Sequence, residues 1–524
     1  MKIHKHIYKL LGAAALVLSM NSCENLTDGY STDPVNITDP SVIPASKLLN
    51  GAQVNLIGAY EADINRLTGM WTGHFSGQDR QYVALSNYVV AGRDFNTEWS
   101  TIYAGVLAND MLVKQRARQD KNPRLLGIAQ VMDAMAFGLA ADLWGDVPFT
   151  EALLFPAITT PKYDKQADVY AAVQALLDSA KDNLALPITT AQNPGKADSF
   201  FGGDADHWTA LANSLKARYY LHTKDYVNAI AYSDPTIAIS SPAGNMLAPH
   251  GNVPGQNFNL FFSFYYYDRA GYMAANSFAP ALLDASKPGN RNNDKTNEEA
   301  RLWYFYLPGG GADFDYGVMD YEINIISAYL DDAVNESLTG FFGSDRSFPL
   351  MTYEETLLIR AEAYAKTGAN ADALATLNEL RAYFNTQANL PAGFRPASGG
   401  SGFSNYWGIT DDNDDAVSLG LQYDPYLMTD FDPGATANPD GLDPDDALLT
   451  EILEERYITL TGQLEVFNDI RRTKNKLNIP LKAGAPTFPQ RLLYSQDEVN
   501  SNTANVPSAS VGLYDPTPVN QSAY

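Results

Sequence analysis

Three short stretches carry side chains suited to holding a polyhydroxylated ring. The first, within residues 71–82, holds Trp71, His74, Gln78, Arg80 and Tyr82. The second, YYYDRAGYM at 265–273, holds Tyr265, Tyr266, Tyr267, Asp268, Arg269 and Tyr272. The third, inside a Gly/Ser-rich run, is Asn405, Tyr406 and Trp407. A flat aromatic covers the apolar C–H face of such a ring, while Asn, Gln, Arg and carboxylates bond its hydroxyl rim. In an extended segment successive side chains alternate, so at least one of the three consecutive tyrosines is expected to face solvent or ligand. The expected ligand-binding residues are Trp71, His74, Gln78, Arg80, Tyr82, Tyr266, Tyr267, Arg269, Tyr272, Tyr406 and Trp407. The competing role for each aromatic is a satellite core beneath a long loop. Trp99 and Trp144, within or ending helical runs, are expected to be core.

Catalytic constellations are harder to find. Of six histidines, His74, His207, His222 and His250 are scattered and His4 and His6 sit at the N-terminus. None forms H-E-x-x-H, and no nucleophile elbow, P-loop or dinucleotide fingerprint occurs. Asp411, Asn413 and Asp415 match the first ligand spacings of an EF-hand loop. Ala416 replaces its turn glycine and Gln422 its closing acid, so the motif fails. Asp440, Asp443, Asp445 and Asp446 offer loop oxygens for Ca²⁺, or simply a negative helix N-terminus. No catalytic residue, metal site or cofactor is expected. A glycoside hydrolase remains an alternative, because two facing carboxylates suffice and the chain has 61 acids. Against it, the chain lacks the βα alternation or strand-rich framework on which such pairs usually sit.

Cys23, in LVLSMNSCENLTD at 16–28, is the only cysteine. It cannot form an internal disulfide or a multi-thiolate metal site. Lys2, Lys5 and Lys9 precede a short apolar run, LLGAAALVLSM, which reads as a secretory signal over 1–22. The run is too short to persist as a membrane span. Ser22-Cys23 then looks like a lipobox, with Met20 and Asn21 where Leu and a small residue are usual. The thiol would be acylated there, palmitate being a typical acyl group, and more than one acyl chain gives durable anchoring.

The formal charge of −25 becomes −28 when those three lysines leave. Such a chain repels nucleic-acid phosphates and anionic membrane surfaces. Tyrosine outnumbers phenylalanine, 31 to 23, which favours surfaces that are both flat and polar. No later segment is expected to approach an uninterrupted apolar run of membrane-spanning length.

The supporting elements are mostly helical. After a Pro/Asp/Asn tether over 23–45, the spacing predicts a helix from Ser46, its cap. The stretch 68–95 shows no helical stripe. Helical runs follow at 96–118, 122–143, 166–186, 206–232, 352–366, 370–386, 446–460 and 462–475. Residues 240–350 and 388–445 are loop-rich. Ala217, Tyr220, Ala229 and Ser233 repeat the spacing of Ala361, Tyr364, Ala373 and Leu377. Small residues at such positions let paired helices approach, as in tetratricopeptide (TPR) units. The fold class is therefore mainly α with little β: TPR-like helix pairs, about 96–143, 166–232, 352–386 and 446–475, forming a helical scaffold.

Several segments together resemble the SusD/RagB-like nutrient-binding outer-membrane lipoproteins of Bacteroidetes. They are the lipobox and tether, the helix ending in DLWGDVPF, YEETLLIRAEAYAKTGANADALATLNELR, and LTEILEERYITLTGQLEVFNDIRRT with PQRLLYSQDEVNSN, where Ser495 stands for a usual Pro. The resemblance implies one α-helical domain over 46–524 with a loop-rich ligand-binding lobe, in a lipid-anchored protein facing outward on the outer membrane. It implies carbohydrate binding in nutrient uptake, not catalysis, with capture of oligosaccharides and delivery to a SusC-like TonB-dependent transporter partner. The same helical pairs would also serve a TPR-type protein-binding scaffold or a peptide-uptake protein, and both compete with glycan capture.

Overall fold

The computed structural model describes residues 43–524 except 277, 309–320, 411–412 and 508–510. The expected signal peptide, Cys23, most of the tether and Asp411 lie outside the described residues.

The helical periodicity becomes a scaffold of α1 (Ala45–Glu61), α2 (Asp63–Trp71), α3 (Ala108–Gln119), α4 (Pro123–Trp144), α5 (Gln166–Leu184), α6 (Ala205–His222), α7 (Tyr226–Tyr232), α8 (Tyr353–Lys366), α9 (Asn370–Asn385), α10 (Pro444–Thr459) and α11 (Glu465–Arg472). About half the chain is helical and the strands are few and short. The first helix starts one residue before Ser46, after Pro44, with no side-chain cap. Elsewhere side-chain caps are present. Asn122 accepts from Leu125 N at 3.1 Å ahead of Pro123, and Thr352 accepts from Glu355 N at 3.1 Å. Asp443 caps α10, and Asp445 and Asp446 occupy its first turn, where the helix dipole favours negative charge.

Helix α4 is the centre of the core. It is long and apolar enough to cross a membrane, contrary to expectation, yet 89% of its apolar window is buried inside the fold. It ends at Gly145, whose φ of +86° places a hypothetical Cβ 2.6 Å from the Arg491 guanidinium. Only glycine fits there.

Helices α6 and α7 pair, as do α8 and α9, and α7 packs directly on α8. Ala217, Ala229, Ala361 and Ala373 are fully buried at these crossings. The two pairs lie more than a hundred residues apart in sequence, yet the scaffold is continuous and the loop-rich middle is an insertion into it.

Buried ion pairs tie the scaffold together. Arg218 on α6 donates to Glu355 on α8 through Nε at 2.8 Å and Nη2 at 2.6 Å. Arg456 Nε donates to Asp469 at 2.7 Å, and Arg472 Nη2 to Glu362 at 2.6 Å. Arg291 and Arg301 share Glu298 and Glu455. Such pairs offset their own desolvation at best, but removing one partner strands a buried charge.

Among the described residues the lobe contains four antiparallel two-stranded ribbons: β1 (Phe75–Gly77) with β3 (Met273–Ala275), β2 (Met246–Ala248) with β7 (Phe348–Met351), β4 (Thr296–Asn297) with β8 (Gln422–Tyr423), and β5 (Tyr306–Pro308) with β6 (Tyr321–Ile323). The stretch 68–95, expected to lack helix, holds the end of α2, β1, a short helix Arg80–Ser86 and a 3-10 turn Gly92–Phe95. Seven residues are too few to show a helical stripe in sequence.

Candidate functional site

The first two aromatic stretches are brought together by the β1–β3 ribbon. Phe75 pairs with Ala275 and Gly77 with Met273, and Gln78 N donates to Tyr272 O at 2.9 Å. Gly77 lets the chain fold back: a Cβ there would lie 1.9 Å from Tyr82 O. The fold-back places the exposed Arg80 guanidinium 5.4 Å from the Tyr272 ring centroid. Tyr82 packs edge-on to Tyr272 at 5.9 Å and against Phe264 at 4.9 Å. It is half-buried, and burial pushes its hydroxyl up to about 12.

The tyrosine run is a π-helix, Ser263–Asp268, and not the extended segment expected from sequence. This rare conformation recurs at functional sites. The expected exposure holds nonetheless: Tyr266 and Tyr267 are 39% and 53% exposed. The segment is anchored from the scaffold. Glu61 accepts from Leu260 N at 2.8 Å and from His250 at 2.8 Å. The Arg66 guanidinium sits 4.5 Å from the Phe264 centroid and donates to Leu260 O at 3.1 Å. Asn259 Oδ1 accepts from Phe261 N and Phe262 N. Tyr265 turns inward and donates to Glu322, whose carboxyl burial raises above the usual range.

The third stretch is a short helix, Gly402–Trp407, rather than a loop. Trp407 is 37% exposed and lies 5.4 Å from Tyr406, nearly perpendicular to it. Tyr406 donates to Asp331, and this bond holds the Asp331 carboxyl below its usual range. Two positions before Asp331, Tyr329 packs edge-on to Tyr266 at 6.3 Å. Gln78 and Arg80 thus meet Tyr272 at one end of the tyrosine segment, while Tyr266 meets Tyr329, two positions from the Asp331 that holds Tyr406 beside Trp407. Arg269, exposed, donates to Asp268 O beside it.

Two expected members are elsewhere. Trp71 is 1% exposed, donates from Nε1 to Leu85 O at 2.8 Å and packs against Tyr88 and Phe467. His74 is fully buried and stacked on Tyr457 at 4.5 Å; burial lowers it to about 3, so it is neutral. Both end α2 or follow it, and the face of that helix turned to the core takes them with it. Trp99 and Trp144 are core, as expected. Tyr329 and Asp331 were not anticipated; their signal was an aromatic beside acids, in SAYLDD, within a loop-rich region.

His222, isolated in sequence, has charged neighbours in space. Its Nδ1 lies 2.8 Å from Asp142 and its Nε2 2.9 Å from Glu465. Burial lowers its pKa, but the two carboxylates outweigh that and raise it to about 9. The three residues cluster as metal ligands would, and the same two carboxylates are placed to hold a protonated imidazole. It is a buried cation joining α4, α6 and α11.

A SusD-like family model, described as "Starch-binding associating with outer membrane", matches residues 37–377. Among curated proteins none matches. A SusD/RagB family protein from Bacteroides thetaiotaomicron is 20% identical, with a TM-score of 0.62 over 92% of this chain and 100% of that one. A SusD homolog from Bacteroides fragilis is 16% identical, with a TM-score of 0.63 over 91% and 100%. A chitin-binding SusD homolog from Flavobacterium johnsoniae is 14% identical, with a TM-score of 0.60 over 90% and 97%. At these identities the structural likeness speaks to fold.

Proposed function

We propose, from the premise that this chain belongs to the SusD-like family, that its aromatic strip captures oligosaccharides at the outer cell surface. One observation carries this reading: the β1–β3 ribbon joins the exposed Gln78 and Arg80 to the segment that exposes Tyr266, Tyr267 and Arg269, and Tyr266 packs on Tyr329, two positions from the Asp331 that holds Tyr406 beside the exposed Trp407. Aromatic faces take the apolar side of the sugar, and the flanking amide and guanidinium groups bond its hydroxyls. Contacts to the π-helix from Glu61, Arg66 and Asn259 preform the strip, which limits the ordering cost of binding. The family's description as starch-binding and the chitin-binding relative support a glycan ligand.

In this reading Cys23 carries the lipid, the tether gives the domain reach, and the cargo passes to a SusC-like TonB-dependent transporter. Calorimetry of the soluble chain from Glu24 with starch and chitin oligosaccharides, with a reducing-end assay on the same samples, tests it. Binding without new reducing ends, weakened by Tyr267→Ala and Trp407→Ala, is the expected result. New reducing ends would make the protein a hydrolase.

A further inference from the structure

A cleft of about 390 Å³ lies apart from the aromatic strip, between the lobe and the α8–α9 pair. That volume falls within the roughly 300–1,000 Å³ of small-molecule sites. None of the strip residues lines it. Arg301, Phe384 and Leu390 are among its buried floor, and Leu247, Glu336 and Ala388 are exposed at its edge.

Its walls carry unused hydrogen-bonding atoms. Asp345 Oδ1, Asn389 Oδ1 and Arg346 Nε are buried and have no hydrogen-bond partner among the described residues. These groups come from two places: the loop before β7 and the segment after α9. Leaving buried polar atoms unpaired is costly. Other bonds of these residues are made: Asp345 accepts from Asn252 at 3.1 Å, and Arg346 Nη2 donates to Glu336 O and Thr339 O at 2.9 Å. The vacant atoms of Asp345 and Arg346 thus sit on side chains that are already held in place. Tyr304, Phe341 and Tyr383 add aromatic carbon to the lining.

We infer that this cleft is a second ligand site, for a compact hydroxyl-rich molecule the size of a mono- or disaccharide. Two vacant acceptors call for ligand donors, and the vacant guanidinium N–H calls for a ligand acceptor. Hydroxyl groups do both, whereas an ammonium ion only donates and a carboxylate only accepts. The aromatic lining suits the C–H face of a ring. The site does not depend on the aromatic strip being a glycan site.

Saturation-transfer NMR of the full soluble chain with glucose, N-acetylglucosamine, xylose and maltose tests it. Leu247→Trp closes the mouth from an exposed strand position, and Asn389→Leu removes one acceptor at similar volume. Sugar binding weakened at least about tenfold by each variant, but unchanged by Tyr267→Ala and Trp407→Ala, is expected. No sugar signal at millimolar concentration, a signal indifferent to both cleft variants, or soaked crystals showing only water in the cleft would overturn it. Unchanged melting of Leu247→Trp keeps misfolding from mimicking lost binding.

Discussion

The hydroxyl of Tyr406 donates to the carboxylate of Asp331, 75 positions earlier in the chain. The bond crosses from one lobe excursion to another and fixes the short helix that presents Trp407. Asp331→Ala should therefore loosen residues 402–407, seen as faster amide exchange there, and weaken oligosaccharide binding severalfold. Because Asp331 is exposed, the melting temperature should barely move. Unchanged exchange in the variant would show that the helix holds itself.

Trp407→Ala and Trp71→Ala should part company. The first removes an exposed ring and should reduce ligand affinity at nearly constant stability. The second leaves a void among Tyr88 and Phe467 and should cost about 3–5 kcal/mol of unfolding free energy. Denaturant titration beside calorimetry separates them; equal stability losses would contradict the assigned burial.

Arg218→Met would leave Glu355 without its main partner inside the scaffold. The loss should be about 3–5 kcal/mol. The paired change Arg218→Met with Glu355→Leu should recover much of it, since no buried charge is then stranded. A double variant less stable than the single one would mean the pair is worth more than its desolvation.

Two histidines should give stability opposite slopes on either side of neutrality. His222 is raised to about 9 by Asp142 and Glu465 against the effect of burial. Its contribution is complete below the unfolded value of roughly 6.5 and is lost as pH rises toward 9, on the order of 3 kcal/mol. His74 is lowered to about 3 by burial. Its protonation in the unfolded chain erodes stability as pH falls below roughly 6.5. Urea midpoints across pH should flatten on the alkaline side in His222→Gln and on the acid side in His74→Phe.

The scaffold was legible because its helices are long enough to repeat their apolar spacing. The pattern around Ala217 and Ala361 marked both small-residue crossings before their partners were known. What it could not show was adjacency: nothing in sequence says that α7 packs on α8 across the whole lobe. The site was legible as composition and blurred as geometry. Tyr267 and Trp407 carry the expected exposure, but Trp71 and His74 were grouped with Gln78 and Arg80 by proximity alone. A helix end followed by a ribbon turns neighbours in sequence to opposite sides of a surface. Tyr329 and Asp331 were missed because their importance lies in what they touch.

The β2–β7 ribbon pairs Met246 with Met351 and Ala248 with Phe348. Residues 249–347 thus leave the scaffold and return to it at nearly one point. A segment with meeting ends behaves as a cassette. Lengthening it costs little closure entropy, about 0.6 kcal/mol per doubling, whereas deleting it would strand Glu451 and Glu455, which pair with Arg291 and Arg301 inside it. Recognition can be redrawn between those two strands while the helices keep their register, so a graft at this doorway that retains those two arginines is the natural route to a new specificity.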